Sequence, residues 1–151
     1  MPQIATNKRA LHDYQVLEKL SAGIVLSGPE VKSSKAGQVS LRGSFAILKG
    51  EELWLTGCHI GPYKPAVSVQ AGYVPTHDRR LLVRREEIRS LIGKMRQVGL
   101  TLLPLSVYTH RGLVKVELGL CRGKKAHDKR ETIKRREVER DIRRAIRNKP
   151  L

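Results

Sequence analysis

A mainly β fold, closed into a small barrel with about three helices in its connections and a basic tail behind it, is what this 151-residue sequence predicts. Three observations carry that expectation. Short runs of branched apolar residues recur between glycines and prolines, as strands do between turns. Two of the intervening segments, Lys49-Gly50-Glu51 and Thr109-His110-Arg111-Gly112, read as hairpin turns. Aromatic residues make up only 4% of a chain that is 40% hydrophobic, so Val, Ile, Leu and Ala must fill the core.

Taken in order, Asn7 to His12 reads as a short helix with Asn7 as its N-cap. Tyr14 to Leu20 and Ala22 to Ser27 have strand length and branched apolar content. Pro29 to Lys35 is helical, because proline suits the first helical turn and Gly37 ends the stretch. Ser44 to Leu48 and Glu52 to Thr56 flank the first hairpin turn. From Gly61 to Arg79 a loop with Pro62, Pro65, Gly72 and Pro75 follows, of a length that points to function or mobility. Arg85 to Val98 is the clearest helix: Ile88, Leu91, Ile92 and Met95 share one face and Gly99 closes it. Leu100 to Tyr108 and Leu113 to Cys121 flank the second hairpin. In the last strand Val114, Val116, Leu118 and Leu120 alternate with Lys115, Glu117 and Gly119, so Lys115 points outward. Short strands with helices in the connections argue for a barrel of the oligonucleotide-binding type. The expected organisation is a barrel over 1–122 and a tail over 123–151.

Charge narrows the function. The net charge is +16, which reads as the electrostatic footprint of a polyanionic partner. Residues 122–151 hold 13 Lys+Arg against 5 Asp+Glu and the rest of the chain 17 against 9, so each part carries +8 and the tail is about four times denser in charge. In the tail Ile133, Val138, Ile142 and Ile146 leave only a thin apolar stripe. Such a segment buries too little to offset its ordering entropy, which predicts a tail disordered when free and helical when bound to a polyanion. Along the chain, Asn7-Lys8-Arg9, Lys32-Ser33-Ser34-Lys35, Arg79-Arg80, Arg84-Arg85, Lys115 and Arg122-Gly123-Lys124-Lys125 supply polar and cationic groups for a phosphate track if they converge. Glu30 runs against that trend. It either buttresses a cation or simply suits a helix N-terminus.

Enzyme signatures are nearly absent. The chain has no phosphate-binding P-loop, no G-x-S-x-G elbow and no H-E-x-x-H, and its five histidines and two cysteines lack metal-ligand spacing. A non-enzymatic chain without metal or cofactor is therefore expected. Cys58 and Cys121 read as reduced thiols in or near the core. No run approaches the roughly 18–20 apolar residues that span a bilayer, and Met1 to Arg9 lacks a signal-peptide apolar region. The expected location is cytoplasmic, with no membrane partner. His127 is open to two readings: ordinary surface, or a ring placed after Gly123-Lys124-Lys125 to stack on an exposed base.

The run Gly123-Lys124-Lys125-x-His127-Asp128-Lys129-Arg130-x-x-Ile133-Lys134 resembles the tail signature of the small protein B (SsrA-binding) family of bacterial trans-translation. Asn7-Lys8-Arg9-Ala10 with His12-x-Tyr14 is similar to that family's N-terminal motif. Ala22-Gly23-Ile24-Val25-Leu26-x-Gly28-x-Glu30-Val31-Lys32-Ser33 is similar to its first barrel block. Ser44-Phe45-Ala46, His59-Ile60-x-Pro62-Tyr63, Leu81-Leu82, Glu87-Ile88 to Gly93-Lys94 and Gly99-x-Thr101-Leu102-x-Pro104-Leu105 follow in the family's order.

The resemblance implies a barrel that grips the tRNA-like domain of tmRNA. It also implies a tail lying in the empty mRNA channel and decoding centre of a stalled 70S ribosome, and delivery together with elongation factor Tu. Position by position, Asn7, Leu82 and Lys115 match places associated with tmRNA binding, and the block with Glu30 and Lys32 belongs to the same surface. His127, Asp128, Lys129, Arg130, Ile133 and Lys134, with Arg136 continuing the cationic track, match the ribosome-engaging tail. Three places, four residues in all, depart from the family pattern. Ser21 stands where Glu is frequent, His77 replaces an arginine, and Ser34-Lys35 stands for Leu-Arg. A ribosomal or rRNA-binding assembly protein fits the charge and the barrel but not the ordered blocks. A nuclease would have to work through His12 or His127.

Overall fold

The computed structural model describes residues 2–65, 71–97 and 99–123, with positions 140 and 142 beside them. Nine strands and three helices lie among the described residues: β1 (Gln3–Thr6), α1 (Lys8–Asp13), β2 (Tyr14–Ile24), α2 (Gly28–Lys35), β3 (Val39–Ser40), β4 (Phe45–Lys49), β5 (Glu52–Thr56), β6 (His59–Ile60), β7 (Arg79–Leu82), α3 (Arg85–Met95), β8 (Leu100–His110) and β9 (Leu113–Gly123). The large sheet runs β1-β8-β4-β5-β7-β2-β9, and β9 pairs again with β8. That last pairing closes β8, β4, β5, β7, β2 and β9 into a ring, which leaves no open edge in the barrel wall. β1 lies outside the ring and shares the edge of β8 used by β4. β3 and β6 form a separate two-stranded ladder.

Alternation in β9 produces the expected inward face. Val114, Val116, Leu118 and Leu120 are all buried in the main core beside Leu53, Leu55, Leu81 and Leu102. The β8–β9 turn is tighter than the four residues expected. His110 already pairs with Leu113, leaving Arg111 and Gly112 at φ +51° and +78°, the backbone of a two-residue type I′ hairpin. The two strands expected over 14–27 are a single eleven-residue β2, which pairs with β9 from Tyr14 to Gly23 and with β7 at its end.

Proline in the middle of β8 accompanies a shift in register. The ladder to β9 slips between Pro104 and Ser106, where proline has no N–H to offer. The Pro104 and Leu105 carbonyls at that slip accept from Asn7, its side-chain amide at 2.9 Å and its backbone N–H at 2.8 Å. Asn7 also caps α1, accepting from the Ala10 N–H at 3.2 Å. α1 is thereby fixed against the outside of the barrel, where Ala10, Leu103, Leu105 and Cys121 form a second core with Tyr14 and Val16. Gly119 is part of this arrangement. A Cβ built there would meet Leu105 Cδ1 at 2.7 Å.

α2 begins with a capping box: Ser27 Oγ accepts from the Glu30 N–H, and Glu30 Oε1 accepts from the Ser27 N–H at 3.0 Å. α3 ends at Met95, short of the expected Val98, and contributes Leu91 to the main core. The expected Gly61–Arg79 loop gives way at Arg79 to β7, which pairs with both β5 and β2 and so helps to close the ring. Among the described residues no helix is long and apolar enough to cross a membrane.

Candidate nucleic-acid interface

Strand register brings residues from distant parts of the chain into one row on the barrel's outer face. Leu82 on β7 pairs with Gly23 on β2, Gly23 with Lys115 on β9, Lys115 with Tyr108 on β8, and Tyr108 with Gln3 on β1. Directly paired residues share a face. Their chain neighbours Ala22, Leu81, Val107, Val114 and Val116 are buried in the core, so this row points out. Leu82 is 52% exposed and leans over Gly23, where an added Cβ would meet its Cβ at 3.4 Å. A groove of about 730 Å³ follows the row, with Lys19, Ser21, Leu82, Arg84, Glu87 and Lys115 among its walls. A second row, Thr6, Ser106, Glu117 and Ser21, lies beside the first, and Lys19 reaches Glu117 at 3.7 Å.

The structure thus unites Leu82 and Lys115 as expected of one surface, and Arg80 lies on the same face of β7 two residues from Leu82. Arg80 is exposed, pairs across the sheet with Trp54 and approaches Glu52 at 3.7 Å. Lys8 and Arg9 are exposed on α1, further along the outside of the barrel beyond Gly119. Lys32 is exposed on α2, with its ammonium 5.7 Å from the centre of the Tyr63 ring. Asn7 is only 7% exposed and spends its side chain on α1 and Pro104. Lys124, Lys125, His127, Asp128, Lys129, Arg130, Ile133, Lys134 and Arg136 lie outside the described residues, as does the expected order of the tail.

One expectation needs correcting. Arg79 is not an outward cation: it is 1% exposed, and its partner Glu30 is 5% exposed. All five guanidinium N–H groups find protein acceptors. Nε donates to Glu30 Oε2 at 2.7 Å, Nη1 to the Cys58 and His77 carbonyls, and Nη2 to the Tyr73 hydroxyl and the Pro75 carbonyl. The same Glu30 oxygen lies 3.1 Å from the Tyr73 hydroxyl and 3.0 Å from His77 Nε2. Burial alone would raise the Glu30 carboxyl. The Ser27 N–H, the Arg79 guanidinium and His77 outweigh it and hold the group down at about 2. Glu30 therefore buttresses a cation and caps a helix together. The pair ties α2, the 71–79 loop and the start of β7 to one another. Physically this follows from alternation: Arg79 shares the inward face of β7 with Leu81, while Arg80 and Leu82 face out.

Sequence reasoning missed Tyr108 and the groove residues Lys19 and Glu87, whereas Arg84 was among the cations expected to converge and does line the groove. Glu87 Oε2 is buried without a hydrogen-bond partner among the described residues. The signal for Tyr108 lay in the turn, because counting back from a two-residue Arg111-Gly112 hairpin sets it opposite Lys115. Among the described residues no three His, Cys, Asp or Glu side chains gather as metal ligands.

A closed barrel of oligonucleotide-binding type, with its exposed lysine and arginine side chains set around an apolar and aromatic row, defines a small nucleic-acid-binding class of protein. The family model for SmpB protein matches residues 4–148, and the chain belongs to that family. It is 50% identical over 145 residues to the SsrA-binding protein of Trichormus variabilis, covering 96% of this chain and 93% of that one. To the SsrA-binding protein of Synechococcus elongatus it is 52% identical over 143 residues, covering 95% and 92%. A chain of a solved structure on tmRNA–SmpB and the centre of the bacterial ribosome superimposes with TM-score 0.65 at 47% identity, covering 83% of this chain and 87% of that one.

Proposed function

We propose that this chain binds the tRNA-like domain of tmRNA through the outer face of its barrel and brings tmRNA to stalled ribosomes for trans-translation. Near-full-length membership of the SmpB family is the observation that carries the reading. The row Tyr108, Lys115, Gly23 and Leu82 supplies a surface of suitable chemistry: a cation for phosphate, with apolar and aromatic groups for unstacked bases. Lys8, Arg9, Lys32 and Arg80 extend it with phosphate contacts, while Glu30, Arg79 and Asn7 act from inside by holding α1, α2 and β7 in place. Lys124 and Lys125 follow β9 in the sequence and add two more cations. The chain performs no covalent chemistry of its own. It works in the cytoplasm, with elongation factor Tu in the delivery complex.

The barrel and the tail divide the work. Residues 1–122 provide affinity for tmRNA, and residues 123–151 engage the vacant mRNA channel and decoding centre through His127, Asp128, Lys129, Arg130, Ile133, Lys134 and Arg136. The test is a gel shift comparing the tRNA-like domain with ordinary tRNA and rRNA fragments. Preferential binding of the tRNA-like domain is expected. Lys115→Glu should weaken it and lower the salt slope by about one phosphate contact. Equal binding to all three RNAs would sink the reading. Replacing Asp128, Lys129 and Arg130 together by alanine should spare tmRNA binding and block tagging on stalled ribosomes. Normal tagging would remove the tail from the mechanism.

A further inference from the structure

On the outer face the Tyr108 hydroxyl meets Ser21 Oγ, although the two residues are not sheet neighbours. Tyr108 is on β8 and Ser21 on β2, and β9 runs between them: Tyr108 pairs with Lys115, and Ser21 with Glu117. Two strand spacings, roughly 9.5 Å, separate β8 from β2. A tyrosine reaches a residue two strands away only by lying along the sheet, not by standing off it. Its long axis therefore crosses β9 between Lys115 and Glu117. The half-buried state of Tyr108 agrees with that posture.

We propose that the Tyr108 ring lies with one face on β9 and that its other face is a stacking platform for one unpaired nucleobase of the bound RNA, with Lys115 beside it for the adjoining phosphate. The proposal rests on the reading that this chain binds tmRNA, and names which residue takes a base. The ring is anchored at its backbone and at its hydroxyl, so stacking immobilises nothing further. A ring that offers its face reads a base's flat face, which makes the platform tolerant of sequence. Glu117, the carboxylate flanking the ring, is held by Lys19 at 3.7 Å, which moderates its repulsion of phosphate. Across Gly23 from Lys115, Leu82 offers an apolar contact to the next sugar or base. A base inside a duplex cannot lie on such a ring, so the ligand is a splayed nucleotide of a single-stranded loop. Ser21, one of the departures from the family pattern, gains a role as the tether.

The experiment uses the full chain and tRNA-like domains carrying 2-aminopurine at each single-stranded position in turn. With wild-type protein one position should show strong quenching. Tyr108→Leu should lose that signal and weaken binding about 10-fold, within the range measured for losing one base stack. Tyr108→Phe should keep both the signal and the affinity within about threefold. Tyr108→Leu binding as wild type, with the same quenching pattern, overturns the platform. Should Tyr108→Leu fail to fold, ultraviolet crosslinking of the wild-type complex decides the matter: an adduct on Tyr108 supports the platform, and adducts confined to other residues overturn it. If wild-type protein shows no preference for the tRNA-like domain over ordinary tRNA, the functional reading fails. The platform is then judged by the same Tyr108→Leu comparison on single-stranded oligonucleotides.

Discussion

Arg79 donates its Nε–H to Glu30 Oε2 over 2.7 Å, with the Arg79 side chain wholly enclosed and Glu30 nearly so. Removing one charge from such a pair leaves the other buried and uncompensated. Glu30→Gln is expected to destabilise the protein by about 3–5 kcal/mol, measured by chemical denaturation at neutral pH.

The same pair sets an acid limit. Glu30 titrates at about 2 in the folded chain against an ordinary value of 4.5, so folding favours its charged form. That stabilisation, on the order of 3 kcal/mol, is complete above about pH 4.5 and is lost as pH falls through about 2. Denaturation series between pH 6 and 2 should show the decline in the wild-type protein and a shallower one in Glu30→Gln. Parallel curves would mean that the carboxyl is not held down.

Asn7 joins α1 to the register slip in β8 through three hydrogen bonds. Asn7→Ala should cost about 2 kcal/mol, from the lost cap and an unpaired Pro104 carbonyl. Any loss of RNA affinity in this variant should accompany a lower melting temperature. Lys115→Glu should lower affinity while leaving melting within a degree or two. An unchanged melting temperature in Asn7→Ala would return Asn7 to the role of a direct contact.

Gly119 is kept small by Leu105. Gly119→Ala should destabilise by about 1–3 kcal/mol, because Leu105 is itself packed and must shift. Truncation to Leu105→Ala in the same chain should recover part of the loss. Additive losses in a double-mutant cycle would show that the two residues do not compete for space.

Both thiols are buried, and burial pushes each up to about 11. Neither forms appreciable thiolate at neutral pH. A thiol reagent should modify almost nothing in the native protein and two groups once denaturant is added. Rapid native labelling at Cys121 would mean that α1 opens from the barrel.

Much of the fold was readable from local pattern. Alternation identified β9, the Asn7 cap identified α1, and Pro29 with Gly37 bounded α2. What escaped were features whose cause is distant in the chain. β7 is a four-residue strand, Arg79 to Leu82, with a charged residue on its inward face, so no alternation of apolar and polar residues announces it. Its arginine faces inward only because Glu30, 49 residues earlier, receives it. β2 reads as two strands because small residues, Ser21, Ala22 and Gly23, interrupt its apolar content. β9 pairs straight across them. For the candidate site, Leu82 and Lys115 were readable as family positions, but their shared row depends on two cross-strand registers. Tyr108 was read as the last residue of a strand, and its partner follows only once the turn is counted as two residues.

The outward row takes Leu82, Gly23, Lys115 and Tyr108 from four different strands of the closed ring. No excised peptide contains it, and opening any one seam between β7, β2, β9 and β8 dismantles it. The binding proposed at this face therefore requires three of the ring's six seams, β7–β2, β2–β9 and β9–β8, to be closed. By mass action a ligand held on this row stabilises the same three seams.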